Sequence, residues 1–388
     1  LAAISRRYRE RENHISSDSW PIYISLQKDG ILFKMRRTQD LPDKESATMF
    51  FQDCKLSHQA QITGISHSVK EIFPPDLLDL TQLQKEANIR YGYTASEVYD
   101  IAQSLYEKKL ISYPRTSSRY LTEDVFDSLS PIMARLLSWE LFPAAKGTGG
   151  IDISSLSRHV ISAEKANVHH AIIITGIRPG NLSEKEMQVY RLVAGRMLET
   201  FMAPCRIETT NVEAVCGAQH FKAEQTRIIE AGWHDVFMRS DMIPTSGYSV
   251  KELPEVEKGD TLNVCGCNMV HKKQLPVNPF TDAELVEYME QKGLGTVSSR
   301  TNIIRTLVNR KYIRYSGRYI IPTPKGMFTY ETIRGKKIAD TLLTADWEKQ
   351  LAGLESGMIT GQDFLNRIRT LAKEMTDDIF NTYSTKEE

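Results

Sequence analysis

The 388-residue sequence has no excess of charge: 49 lysines and arginines stand against 49 aspartates and glutamates. The bulk attraction of a polycation for nucleic acid is thereby excluded, and any DNA or RNA site must be built from local clusters. Long apolar runs are missing too, none approaching the ~20 residues that span a bilayer, so a soluble protein without a membrane partner is expected. Cysteine is scarce. The five present (Cys54, Cys205, Cys216, Cys265, Cys267) form no C-x-x-C pair, which argues against a zinc ribbon or a disulfide framework and points to a reducing, cytoplasmic setting. There is no D-x-D pair, internal repeat or low-complexity tract, and no assembled Mg²⁺ site is legible. Neither an initiator methionine nor a signal-peptide pattern precedes the opening basic run Arg6-Arg7-Tyr8-Arg9, so a piece of a longer polypeptide is expected.

What is present suffices for a folded protein: 41% of residues are hydrophobic, and the length suits about two to four domains. Ile22, Ile24 and Leu26 alternate with Tyr23, Ser25 and Gln27, and Asp29-Gly30 then precedes Ile31-Leu32-Phe33, the signature of a β-hairpin. Phe73-Pro74-Pro75-Asp76 breaks that pattern. Thr94 with Glu97 makes a capping box ahead of Val98, Ile101, Ala102 and Leu105, predicting a helix to about Lys109. Ser183 with Glu186 opens another, with Met187, Tyr190, Val193, Met197 and Phe201 at helical spacing. Residues 73–203 therefore read as helical, with a loop at Lys146-Gly147-Thr148-Gly149-Gly150. Beyond Pro204 the alternation of Val212 and Ala214 is β-like again, with turns at Ser246-Gly247 and Lys258-Gly259-Asp260. This order predicts a helical domain inserted into a β domain whose two pieces close one sheet. After a polar connector, His271 to Pro276, a last helical region runs from about 280 to 388, where Phe364, Ile368, Leu371 and Met375 read as ordinary core.

Three segments carry chemistry. In Ile111-Ser112-Tyr113-Pro114-Arg115-Thr116 the proline holds Tyr113 extended, and Arg115 reaches the same side. Tyrosine can be a covalent nucleophile, but a phenol titrates near ~10 and needs help, which a guanidinium gripping a phosphate bidentately supplies. A packed aromatic beside a surface arginine is the other reading. His169-His170 leads the apolar run Ala171-Ile172-Ile173-Ile174. Adjacent histidines point apart and lack the i, i+3 or i+4 spacing of a metal pair, leaving a phosphate contact or a hydrogen-bonded histidine opening a buried strand. The third segment, 280 to 321, reads as helix, Gly293-Leu294-Gly295 turn, capped helix and hairpin, a winged helix-turn-helix pattern. From Arg300 to Arg318 it has six basic and no acidic residues (Arg300, Arg305, Arg310, Lys311, Arg314, Arg318), interleaved with Tyr312 and Tyr315. Such a run offers phosphate affinity and stacking surfaces, or else a solvated charged face.

Taken together these segments resemble the type IA DNA topoisomerases, the topoisomerase III branch most closely. Ile111 through Leu121 matches the family's nucleophile motif I-[ST]-Y-P-R-[ST]-[DS]-S-R-Y-L. Asp79 to Asn88, Asp100 to Glu107, His169 to Ile173, Gly293 to Arg300 and Ala345-Asp346-Trp347-Glu348 resemble five further blocks in the family's order. The resemblance implies a multidomain α+β fold, part of a toroid. Residues 73–203 would be the helical gate domain, 18–72 and 204–272 a discontinuous β arch, 1–17 the tail of an N-terminal segment of the fourth domain, and 273–388 the rest of that domain, winged-helix-like.

By the same resemblance Tyr113 attacks one DNA strand to form a 5′-phosphotyrosine, Arg115 binds and polarises the scissile phosphate, and His169 contacts a neighbouring phosphate. Thr296, Ser299 and Arg310, with Arg300 beside them, fall where the fourth domain meets DNA. The expected partners are DNA, mainly single-stranded, and the family's Toprim domain, with the chain a monomer. The Toprim domain brings the Mg²⁺ ligands and a catalytic glutamate and lysine; none of these is in this sequence, so Mg²⁺ is expected in a full-length parent, no cofactor here, and no relaxation by this polypeptide alone. Ser117 stands where many members have Asp, and Ile174 where they have Pro. Relaxases also use tyrosine, but bind metal through His-hydrophobic-His, which His169-His170 lacks. The remaining alternative is a winged-helix duplex-DNA-binding protein with no catalysis, which leaves Tyr113-Pro114-Arg115 unexplained.

Overall fold

The computed structural model describes residues 1–139, 141–142, 156–166, 169–238 and 243–384; the loop expected at Lys146–Gly150 lies outside them. The chain opens with helix α1 (Ala2–Glu12) and a two-residue strand, β1 (Asp18–Ser19). The expected hairpin follows as β2 (Ile22–Lys28) and β3 (Ile31–Arg37), paired from Tyr23↔Arg36 to Lys28↔Ile31. Asp29 and Gly30 both take positive φ, 50° and 81°, as a two-residue turn matched to strand twist requires. Helix α2 (Lys44–Leu56) was not legible as an element; Asp43 caps it by accepting from the Ser46 N–H at 2.7 Å. Strand β4 (Gln59–Ile72) then leads into the helical region.

That region holds α3 (Leu80–Tyr91), α4 (Ala95–Glu107), α5 (Glu123–Asp127), α6 (Leu129–Ser138) and α7 (Glu184–Phe201). Both capping boxes form, at Thr94/Glu97 and Ser183/Glu186. The chain returns through β5 (Cys205–Cys216), β6 (Gln219–Glu230) and β7 (Thr261–Met269). The two β pieces do more than close one sheet: antiparallel pairing in the order β2-β3-β6-β5-β4-β7, with β7 back on β2, makes a closed barrel. Ile22, Ile24, Leu26, Phe33 and Met35 point inward, each burial stabilising by roughly 1.5–3 kcal/mol. Helices depart from the barrel at Ile72 and return at Cys205, which face each other across β4 and β5. Trp233, fully buried, closes this junction by donating from Nε1 to the Ile72 carbonyl at 2.8 Å.

Short strand β8 (Lys272–Lys273) pairs with β1 and leads to α8 (Asp282–Gln291), α9 (Val297–Asn309), the hairpin β9 (Ile313–Ser316) and β10 (Tyr319–Pro322), then α10 (Pro324–Ile333), α11 (Thr341–Glu355) and α12 (Gly361–Ser384). Ile4 of α1 shares a core with Phe280, Leu285, Val286, Met289, Ile304, Ile313 and Ile320, so the first helix folds with the last third of the chain. Phe364, Ile368, Leu371 and Met375 correct the sequence reading. They keep helical spacing on α12 but are only half-buried and join none of the three buried clusters. Among the described residues no helix is long and apolar enough to cross a membrane, and all five cysteines are free thiols.

Candidate active site

Helix α4 ends at Glu107, and Lys109 reverses the chain with φ 60°. Leu110 and Ile111 are buried beneath it, and the segment onward to Leu121 is irregular coil held by polar contacts on every side. Ser112 N–H donates to the Ile173 carbonyl (2.8 Å), while its hydroxyl donates to the Ala171 carbonyl (3.2 Å) and accepts from Ile173 N–H (3.0 Å). The Thr116 hydroxyl donates to the His169 carbonyl at 3.0 Å, and the Thr116 carbonyl accepts from Leu80 N–H at 3.1 Å. Ala171–Ile174 is thus not the strand its composition suggests: it makes single bridges, Leu78↔Ile172 and Ile111↔Ile174, and serves as a splint for the Tyr113 coil. A coil pinned this often loses little further entropy on binding a ligand.

The splint brings Tyr113 and His169 together and leads Arg115, two residues on, against α4. The Tyr113 ring lies 4.6 Å from that of His169, centroid to centroid, and 5.4 Å from that of Tyr106, which meets it edge-on. Tyr113 is half-buried and His169 exposed, so the phenol stands at a solvent-facing edge of the helical body. Arg115 turns toward α4: Nη2 is 3.4 Å from Gln103 Oε1, the Tyr99 ring lies 5.2 Å from its guanidinium carbon, and the buried Nε–H has no acceptor. Tyr99, Gln103 and Tyr106 carry these contacts and were missed; their i, i+4, i+7 spacing was the available signal. Ser117 is exposed. Ile174 is buried, and its N–H, which a proline there would lack, donates to Met197 Sδ at 3.2 Å.

Next to this cluster Arg119 pairs with Asp79 at 2.7 Å, and Asp79 also caps α3 through Gln82 N–H. Burial pushes the Asp79 carboxyl above its usual range against the opposing pull of the Gln82 N–H and Arg119.

The second group lies on α9. Gly293 and Gly295 take φ 63° and 70°, and a Cβ on Gly295 would come 2.8 Å from Ser299 Oγ. Thr296 and Ser299 cap the helix reciprocally, Ser299 Oγ accepting from Thr296 N–H at 2.8 Å. Thr296 is exposed and Ser299 half-buried. Arg300 instead points inward, 8% exposed, with Nη1 3.2 Å from Thr81 Oγ1 and 3.3 Å from Glu290 Oε1. Arg310 is exposed at the far end, roughly 20 Å along the helix at 1.5 Å per residue, and its guanidinium pairs with no described residue. The structure thus unites Tyr113 with His169, sets Arg115 against α4 beside Gln103 and Tyr99, places Thr296 with Ser299, and leaves Arg310 apart. The two groups communicate through α3 and α4: Gln84 Nε2 donates to Thr301 Oγ1 (2.9 Å), Lys85 pairs with Glu287 (2.8 Å), and Arg305 forks onto Asp100 (2.9 Å) while bonding Ser96 (2.8 Å).

Among the described residues no three His, Cys, Asp or Glu side chains converge to hold a metal. The donors at Tyr113, a phenol, an imidazole and a guanidinium, do not fit Mg²⁺, which takes hard oxygen ligands.

Comparison with known proteins gives this geometry its family. A sequence model of the DNA topoisomerase family matches residues 1–366. DNA topoisomerase 3 of Bacillus licheniformis is 32% identical over 344 residues, 82% of this chain and 47% of that protein. That of Staphylococcus saprophyticus is 28% identical, covering 95% of this chain and 54% of that protein. The chain therefore spans about half the length of the curated relatives it matches. The structure of full-length topoisomerase I from Thermotoga maritima superposes with a TM-score of 0.73 at 23% identity, over 96% of this chain and 61% of that one, a likeness of fold. The matched family, the topoisomerase 3 relatives and the shared fold agree with the Tyr113 motif and the helical body hung from a barrel: this chain belongs to the type IA DNA topoisomerases and is topoisomerase III-like.

Proposed function

We propose that this chain supplies the strand-cleaving tyrosine and the moving gate of a topoisomerase acting on single-stranded DNA in the cytoplasm. The supporting observation is the Tyr113–His169 ring contact held by the splint, with Arg115 two residues on lying against α4. The phenolic oxygen of Tyr113 attacks the phosphorus of one phosphodiester; the tyrosyl–phosphate bond forms, the bond to the 3′-oxygen breaks, and that oxygen leaves as the strand's 3′-hydroxyl. Attack by the same hydroxyl on the 5′-phosphotyrosine reverses the step and reseals the strand. Arg115 grips the non-bridging oxygens as charge builds on them. His169 steadies the Tyr113 ring and faces the adjoining phosphate.

Residues 73–203 would move as the gate, the barrel of 18–72 and 204–272 would form the arch, and 1–17 with 273–388 would hold the bound strand. Thr296, Ser299 and Arg310 would meet its phosphates, with Arg300 bracing α9 against α3. Mg²⁺ and the acid–base groups would come from residues outside this sequence, and the chain would act as a monomer. A duplex-reading winged helix is disfavoured, because it leaves the Tyr113 coil and the splint that holds it without a role.

The test is covalent. In a polypeptide of the relatives' length, denaturation during cleavage of a labelled single-stranded oligonucleotide should trap an adduct on Tyr113. Tyr113→Phe should abolish it, and an adduct that survives the substitution would overturn the assignment.

A further inference from the structure

We propose that Tyr99 is a positioning residue for Arg115, its ring acting as the floor on which the phosphate-gripping guanidinium is laid flat. The proposal rests on the reading of Arg115 as the phosphate holder. Arg115 Nε–H is buried and has no hydrogen-bond acceptor, so no hydrogen bond at Nε fixes the guanidinium's orientation. Against the guanidinium lies the Tyr99 ring, 5.2 Å from its carbon, within the range where a π face attracts a cation. Gln103 Oε1 lies 3.4 Å from Nη2, a long contact that leaves the rest of the guanidinium's donors uncommitted. A single long hydrogen bond does not fix a plane; a ring beneath it does. The ring thus attracts the cation through one face and blocks that face, so the in-plane donors are left to grip a phosphate bidentately. Tyr99 is itself half-buried and packs on the helical core, so the floor is fixed by α4 rather than by the ligand.

The test uses Tyr99→Met, which keeps an apolar side chain of adequate length but removes the π face, and Tyr99→Phe, which keeps the ring. In the polypeptide used for the Tyr113 test, Tyr99→Met should slow formation of the Tyr113 adduct about ten-fold, equivalent to about 1.4 kcal/mol. Affinity for the same oligonucleotide should change less than about two-fold, because charge and reach are kept and only orientation is lost. Tyr99→Phe should restore most of the rate. A Tyr99→Met rate equal to the parent's, a loss lying wholly in affinity, or a Phe variant as slow as the Met variant would overturn the proposal. A second readout needs no cleavage: the Arg115 Nε–H signal in ¹⁵N–¹H spectra should be ring-shifted in the parent and in Tyr99→Phe, and lose that shift in Tyr99→Met. If the shift behaves so but the parent forms no adduct, the cleavage reading fails and the Tyr99–Arg115 contact stands. If the adduct forms but the shift is absent from the parent, the contact fails and the cleavage reading stands.

Discussion

Replacing Arg196 with methionine should unfold the helical body far more readily than removing any surface cation. Arg196 is 6% exposed, with Nη2 2.8 Å from Glu86 Oε1, Nε 2.9 Å from Glu199 Oε2, and Nη1 donating to the Asp76 carbonyl at 3.1 Å. Methionine keeps much of the stem but removes the charge and all three donors. Arg90, 3.6 Å from Glu86, continues to offset that carboxylate, whereas the fully buried Glu199 loses its Arg196 ion pair. Breaking a buried pair from one side costs about 3–5 kcal/mol, whereas an exposed pair is worth about 0–1. Arg305, whose side chain is 38% exposed and whose partner Asp100 is 62% exposed, provides the comparison. With urea as denaturant and far-UV circular dichroism as the readout, Arg196→Met should lower the midpoint by more than about 1 M, and Arg305→Met by a small fraction of that. Equal midpoints for Arg196→Met and the parent, or equal losses in the two variants, would refute the assignment of burial as the deciding factor.

Arg310→Ala should weaken single-stranded oligonucleotide binding and flatten the plot of log affinity against log salt by about 0.7, the share of one phosphate contact, in a fluorescence anisotropy series. Arg300→Met should leave that slope unchanged, because its guanidinium faces Glu290 and Thr81. Gly326→Ala should lower the thermal midpoint sharply, since the added Cβ would lie 2.0 Å from the Tyr312 carbonyl oxygen; Gly180→Ala, with open space around it, should not. The Glu186 carboxyl is held down at about 2 by Lys108, by Ser104 and by the Ser183 N–H. A depressed folded-state value stabilises above the ordinary carboxylate range and is lost as pH falls through it. Glu186→Gln should therefore cost roughly 1–2 kcal/mol at neutral pH, with parent and variant converging as pH drops from about 4.5 toward 2 in acid denaturation curves.

Local signals were the legible ones. Thr94 with Glu97, Ser183 with Glu186, and Asp29-Gly30 each determine an element through contacts within four residues, so spacing alone reveals them. Barrel closure was not readable, because Ile24 meets Cys267 across more than two hundred residues and nothing near either position encodes the partner. The stripe of Phe364, Ile368, Leu371 and Met375 shows the opposite failure: periodicity reports which residues share a face, not what covers that face. At the candidate site, Tyr113, Arg115 and His169 were singled out through motifs, and the motif text cannot show that Arg300 turns inward while Arg310 stays outside on the same helix. Helical phase decides that: Arg300 sits one turn into α9, on the face toward α3, and Arg310 caps the other end.

The attachment of the helical body to the barrel also determines how a pull on it is carried. Ile72 and Cys205 are partners across β4 and β5, although roughly 130 residues separate them in the chain. A force drawing the helices away along the strands acts on β4 and β5 in the same direction, so the rungs between those two strands feel none of it. The load passes sideways to their outer neighbours, and these are unequal: β4 meets β7 at three positions, from Gln59 to Gln61, whereas β5 meets β6 at eleven, from Arg206 to Cys216. Strand β6 is therefore the anchor post of the barrel, and weakening its rungs should slacken the attachment of the helical body while leaving the Tyr113–His169 contact untouched.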